Sequence, residues 1–364
     1  MDYSRITTII QSLAIPHPER LTLLDAESLA SAHVPSFPID WPVMILGIID
    51  DEQKNRISNV LKQAYSSNHV IYIIEGSKSN SMALIELSHR KNNSASIDLY
   101  VPALTEGSSV EAFTEIVAHL RAPDGCPWDR EQTHESLRTH LLEETYEALS
   151  AIDSGDFDAM REELGDLLLQ IVLQAQIASE EGRFTIHQVV KDIYDKIIRR
   201  HPHVFGDLKL NGVDGVLANW EKLKETEREI KKEGKGLLDG VPATLPALAQ
   251  AQEYQDRAAR VGFDWPAIKG VLEKVNEEVE EIKRAENPKE AGSEMGDLFF
   301  VLVNLARWKK MDAESLLRQA NVRFKRRFGY IERSALEMKK SLSELTLQEM
   351  DALWEAGKQL EKNS

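Results

Sequence analysis

The sequence predicts a mainly α protein, with two tandem all-α helical bundle repeats preceded by a small α/β unit. Three observations carry that expectation. β-Branched runs bounded by Gly, Pro, Asn and Asp are concentrated before Pro102; long amphipathic segments with three-to-four-residue apolar spacing follow it; and the later segments repeat the earlier ones. With 364 residues, 42% of them apolar, the chain has material for more than one core, and the expected division is 1–107, 108–236 and 237–364.

In the first part, "PVMILGII" (42–49), "HVIYIIEG" (69–76) and "SASIDLYVP" (94–102) read as strands. Between the first two, "DEQKNRISNVLKQAYSS" has helical spacing at Ile57, Val60, Leu61 and Ala64. Beyond Pro102, helices are expected over 109–120, 133–152, 156–181, 185–200 and 214–233, then over 244–260, 267–286, 289–310, 312–335 and 345–361. The Gly- and Pro-bearing stretch "KKEGKGLLDGVPATLP" separates the two sets.

The sets align. "LLEETYEAL" (141–149) matches "VNEEVEEIK" (275–283), "REELGDLLLQIVLQAQIA" (161–178) matches "GSEMGDLFFVLVNLARWK" (292–309), and "KIIRRHPHVFGD" (196–207) echoes "RFKRRFGYIERS" (323–334). "CPWD" and "GFDW" precede the two copies in parallel positions.

Composition narrows the function. A net charge of −16 repels nucleic acid and anionic membranes and concentrates cations. The single cysteine, Cys126, provides no intrachain disulfide and suits a reducing compartment. The start "MDYSRITTIIQ" lacks signal-peptide character, and no apolar run has the length of a membrane span. A soluble cytoplasmic protein is expected, with no nucleic-acid or membrane partner.

The acids are the chemical signal. Glu144 and Glu147 lie three apart on one helix face, with Glu143 bordering it, and Glu163 and Asp166 show the same spacing beyond the turn "DSGDFD". The second copy has Glu278 with Glu281, Glu294 with Asp297, and Glu277 in place of Glu143. An acid pair on a helix is most often a solvated face. Here the helix carrying Asp166 has Leu164, Leu167, Leu168 and Ile171 in one stripe and Leu169, Val172 and Leu173 elsewhere, so it reads as buried nearly all round. Asp297, between Met295 and "LFFVLV", reads the same way. Carboxylates converging in a low-dielectric site repel unless a cation neutralises them, and hard divalent metals take such oxygens. Clustered cations follow each copy: Lys196, Arg199 and Arg200, then Arg323, Lys325, Arg326 and Arg327. They read either as solvated helix ends or as groups that meet phosphate beside the metal.

"EETYE" with "EELGD", flanked by "CPWDREQTHESL" and "RRHPHVFGD", resembles the MazG-type nucleoside triphosphate pyrophosphohydrolases, over roughly residues 108 to 364. The resemblance implies an all-α homodimer that cleaves nucleoside triphosphates between the α and β phosphates with Mg²⁺, for which Mn²⁺ could substitute. It further implies metal ligation by Glu278, Glu281, Glu294 and Asp297. Lys274, Arg323, Arg327 and Trp354 of "MDALWEAGK" would contact the nucleotide, Trp354 by stacking on the base or else as a core residue, and Glu277 or Glu278 would orient or deprotonate water. Arg323 departs from the lysine usual there. Glu144, Glu147, Glu163 and Asp166 give the first copy the same ligand set, but His140 replaces Lys274, so the second copy is the expected catalytic one. Residues 1–107 resemble the carboxyl-terminal half of a tetrapyrrole methylase-like domain. Without the Gly-rich turns that S-adenosylmethionine binding would need, methyl transfer is not expected. Two other readings remain open: a non-catalytic metal-binding regulatory scaffold, and a pyrophosphohydrolase acting on alarmones or nucleotide sugars.

Overall fold

The alternation of Ile71, Tyr72, Ile73 and Ile74 gives one strand two apolar faces, so its sheet must be covered on both sides. In the computed structural model it is. The structure describes residues 3–13, 18–76, 78–90, 96–213, 215–216, 219–220, 223 and 236–363. Five strands, β1 (Thr22–Asp25), β2 (Val43–Ile48), β3 (Val70–Glu75), β4 (Lys78–Ala83) and β5 (Ile97–Val101), pair in the order β1-β2-β5-β3-β4. Only the β1–β2 pair is parallel. On one face, α2 (Ala26–Ala30) and α3 (Asp51–Leu61) pack Leu29, Ile57 and Leu61 against Ile45, Ile71, Ile73 and Leu99. On the other, α1 (Tyr3–Leu13) packs Ile6, Ile9, Ile10 and Leu13 against Met44, Ile74 and Tyr100.

The three expected strands form, and β1, β4 and α1 add to them. Strand β2 does not alternate throughout. Its register with β5 shifts between Ile45 and Ile48, where Gly47 takes φ 79° and donates its amide to Asp98 Oδ1 at 2.8 Å. That bulge returns Ile48 to the face of Ile45.

The remaining described elements are helices. α4 (Val110–Arg121), α5 (Pro127–Glu131), α6 (Leu137–Ser154), α7 (Phe157–Glu180), α8 (Ile186–Arg200) and α9 (Pro202–Phe205) come first. α10 (Ala247–Arg260), α11 (Ile268–Arg284), α12 (Pro288–Trp308), α13 (Ala313–Glu337) and α14 (Leu347–Asn363) come after them. The helix expected over 214–233 falls largely outside the described residues. The chain divides into two compact units, Met1–Arg199 and Arg200–Ser364.

Each unit contains a helical hairpin that carries acids. Gly155, at φ 70°, ends α6, and Asp156 starts α7 by accepting from the amides of Asp158 and Ala159, both at 3.1 Å. Those two residues turn the chain back so that α7 packs along α6. α11 and α12 form the second hairpin, with Asn287 capping α12 and Pro288 at its first position.

The expected all-round burial of α7 is corrected here. Val172, Leu173, Ile177 and Leu137 of α6 form a core with Val117 of α4, whereas Leu164, Leu168 and Ile171 are exposed, Leu164 by 49%. One flank of the helix finds cover within the chain and the other does not. Asp297 is corrected likewise: it is exposed, and its neighbours Met295, Phe299 and Phe300 are exposed with it.

Candidate metal centres

Each hairpin gathers carboxylates from both of its helices. In α6–α7, Glu144, Glu163 and Asp166 each bring an oxygen within 4.8 Å of the others. All three are half-buried, and the exposed Glu147 lies at the edge of the set. Burial, followed by the charges of Asp166, Glu147 and Glu163 and a hydrogen bond with Glu147, raises the Glu144 carboxyl above its ordinary value. Burial, then Glu147 and Asp166, does the same to Glu163.

In α11–α12 the gathered oxygens belong to Glu278, Glu281 and Glu294, again within 4.8 Å. Glu294 is raised by burial and then by Glu281, Glu278 and Asp297. Of the eight expected ligands, Glu147 and Asp297 therefore stand outside the two tight groups, though their charges are felt by them.

Glu278 is only 2% exposed. Lys274, one turn earlier, brings Nζ to 2.7 Å from Glu278 Oε1 and donates to Glu277 Oε1 at 2.9 Å. Hydrogen bonding, first to Glu278 and then to Glu277, raises the lysine above its ordinary value. Glu278 Oε2 is buried with no hydrogen-bond partner. A buried carboxylate oxygen left unsatisfied between two other carboxylates is expensive, and a cation is the group that would relieve it. The donor set is all oxygen, as Mg²⁺ and Mn²⁺ prefer. The residues present fit a hard divalent ion.

The first hairpin lacks this ammonium. His140 occupies the position of Lys274, with Nδ1 3.4 Å from Glu143 and its ring edge-on to Trp128 at 6.5 Å.

The other expected nucleotide contacts gather on α13 and α14. Arg327 pairs with Glu361 at 2.8 Å and lies 5.5 Å over the ring of Trp354. Trp354 packs with Phe328, Met350 and Leu353 around Ile331 and Ala335, and Phe324 stands 5.4 Å from it. Arg323 is exposed. Among the described residues no hydrogen bond or ion pair joins Arg323, Arg327 or Trp354 to the acids. Sequence reasoning passed over Glu361, whose partners sit on another helix, and two polar residues buried in the hairpins, Gln170 and Asn304. Only the four-residue step from Asp166 to Gln170 could have flagged one of them.

The chain is similar in sequence to known proteins. The MazG nucleotide pyrophosphohydrolase domain matches residues 132–205, the stretch that holds the first acid set. A Thermotoga maritima protein named nucleoside triphosphate pyrophosphohydrolase/pyrophosphatase MazG is 44% identical over 252 residues, covering 69% of this chain and 96% of that protein. The chain belongs to the MazG family. Other relatives of this MazG chain include the Escherichia coli K12 nucleoside triphosphate pyrophosphohydrolase, 43% identical over 260 residues, 70% of the chain and 98% of that protein. Bacillus subtilis YabN, named only as uncharacterized, is 39% identical over 335 residues, 88% of the chain and 68% of its own length, a span long enough to include sheet residues.

Proposed function

We propose that the chain hydrolyses nucleoside triphosphates between the α and β phosphates, adding water to give a nucleoside monophosphate and pyrophosphate. The second acid set would carry the chemistry. The observation that supports it best is Glu278 Oε2, buried and unpartnered beside Glu281 and Glu294. The names of the Thermotoga and Escherichia relatives point the same way.

In this reading Glu278, Glu281 and Glu294, with Asp297 at the edge, hold Mg²⁺ or Mn²⁺. The bound ion supplies charge neutralisation for the triphosphate and acidifies water. Lys274 holds the Glu277 and Glu278 carboxylates in place by its two short contacts. Glu277, exposed beside that lysine, takes the proton of the attacking water. Arg323 and Arg327 neutralise phosphate oxygens, for which Arg327 exchanges Glu361, and the free part of the Trp354 ring faces the base. A second copy of the chain covers the apolar stripe of α7, and a cytoplasmic setting suits both substrate and the single cysteine. No described helix is long and apolar enough to cross a membrane.

The test is pyrophosphate release from a panel of nucleoside triphosphates, with and without Mg²⁺. Metal-dependent release that falls at least about a hundredfold in Glu281→Ala and persists in Glu147→Ala is expected, a loss typical of removing a group that acts on the transition state. Release from no triphosphate, or full activity in Glu281→Ala, would overturn the reading.

A further inference from the structure

Three adjacent strands meet at one end of the sheet. β1 and β2 run parallel and begin there, and the antiparallel β5 ends there. The segments leading into β1 and β2 and out of β5 therefore lie side by side. Backbone bonds fix them: Thr22 donates to the Pro42 carbonyl at 2.9 Å, and Leu104 to that of Ile39 at 2.8 Å. α4 forms the opposite wall, held by Val117 and Phe113 in the core it shares with α7. Between the walls, inside the unit Met1–Arg199, runs a groove of about 1160 Å³.

Half-buried Trp41, Pro42, Leu104 and Phe113 give this groove an apolar floor, which Ile116, 55% exposed, extends. Glu19, Glu106, Glu111 and Glu115 are exposed around it. Asp40 joins them, half-buried, with its Oδ1 buried and without a hydrogen-bond partner. Elsewhere in the same unit Glu52, Glu75, Glu180 and Asp195 each meet an arginine or a lysine. None of the five groove acids has such a partner among the described residues. The one cation that lines the groove, Arg20, lies instead over the Trp41 ring, 5.1 Å from its centroid.

Unpaired carboxylates around an apolar surface repel one another, and the field they focus draws in cations. Their spacing does not suit a single ion: among the described residues no three of them bring oxygens within 4.8 Å of one another. Charges spread along a groove are met by charges spread along a ligand. The cavity also exceeds the range of about 300–1,000 Å³ usual for small-molecule sites. A polypeptide with basic and apolar side chains answers both features, and Arg20 on Trp41 already displays the contact that a guanidinium makes with this floor.

We propose that this groove docks an extended basic segment of a partner protein. Its arginines or lysines pair with Glu19, Glu106, Glu111 and Glu115, one of them reaches Asp40 Oδ1, and its apolar side chains lie on Trp41 and Ile116. The inference does not depend on the reaction proposed for the second acid set.

Fluorescence anisotropy of a labelled, end-blocked peptide of alternating arginine and leucine, titrated with the full chain, tests it. The comparison ligands are the same peptide with glutamate for arginine, and spermine. The arginine peptide binds and the glutamate peptide does not. Glu111→Gln with Glu115→Gln weakens binding about five- to tenfold, as the loss of two rim ion pairs would, and makes it less sensitive to salt. Those carboxylates have no partner to lose, so the variant keeps its fold. Ile116→Ser weakens binding without changing its salt dependence. Absence of binding by the arginine peptide, or an Ile116→Ser variant that binds like wild type, overturns the proposal. Equal weakening by Glu332→Gln with Glu337→Gln on α13 would also overturn it, since the attraction would then be general. Spermine binding as tightly as the peptide and lost in the Glu111 and Glu115 variant would give the groove to a small polycation. A lower mass in light scattering for that variant than for wild type would give it to a second copy of the chain.

Discussion

Glu278 and Glu361 are both carboxylates held by cationic side chains, with opposite consequences. Glu361 is a stabilising partner: hydrogen bonds from Arg327 and then Arg326 pull its carboxyl down to about 2. A carboxyl depressed on folding contributes stability that is fully present above its unfolded value and is lost as pH falls through the folded one. The window here runs from the unfolded glutamate value of about 4.3 to about 2. Thermal melts of Glu361→Gln should therefore lie below wild type at neutral pH, and the gap should close as pH is lowered across that window; a gap independent of pH would mean the ion pair contributes nothing. The sequence showed the acid pairs because three-residue spacing on a helix is local information. It hid the Arg327–Glu361 pair, whose members lie on different helices, and it hid which of the paired acids are buried. Asp297 read as enclosed because its sequence neighbours are apolar, but those neighbours face outward with it.

At the scale of elements, helices were legible in their periodicity and their ends in their caps. Asp156 is the clearest case, since it accepts from two amides at the start of α7 while Gly155 closes α6. Asp156→Ala should lower unfolding stability by about 1 kcal/mol, read as a lower denaturant midpoint with an unchanged slope. A midpoint equal to wild type would show that packing along α6 alone fixes the turn. Strand β4, "KSNSMA", escaped because its pairing with β3 is made by backbone along the sheet edge, and its side chains carry no strand signature. α1 escaped although Ile6, Ile9, Ile10 and Leu13 have helical spacing; a single short amphipathic stretch does not say which sheet face it will cover. The stripe on α7 was read correctly as apolar and wrongly as buried within this chain, because a helical wheel shows what must be covered and not by whom.

For the whole molecule, the uncovered stripe of Leu164, Leu168 and Ile171 is an expectation about assembly. Light scattering after gel filtration should give twice the 41.1 kDa chain mass. Leu168→Glu with Ile171→Glu should shift that to the monomer while circular dichroism stays helical, and a monomeric wild type would refute the dimer. The order of parts along the chain was plain in the sequence, since strand-like runs and long amphipathic segments do not overlap. The division into compact units at Arg199 and Arg200 was not, because a boundary depends on contacts between segments distant in sequence. The two-residue closure at Gly155 and Asp156 has one more consequence, for how the molecule comes into being. Closing so short a connection costs little chain entropy, and its contacts are local, so such hairpins belong to the fastest events of folding. Glu144, Glu163 and Asp166 would then be assembled as soon as this hairpin has left the ribosome, before the second acid-bearing hairpin has been made.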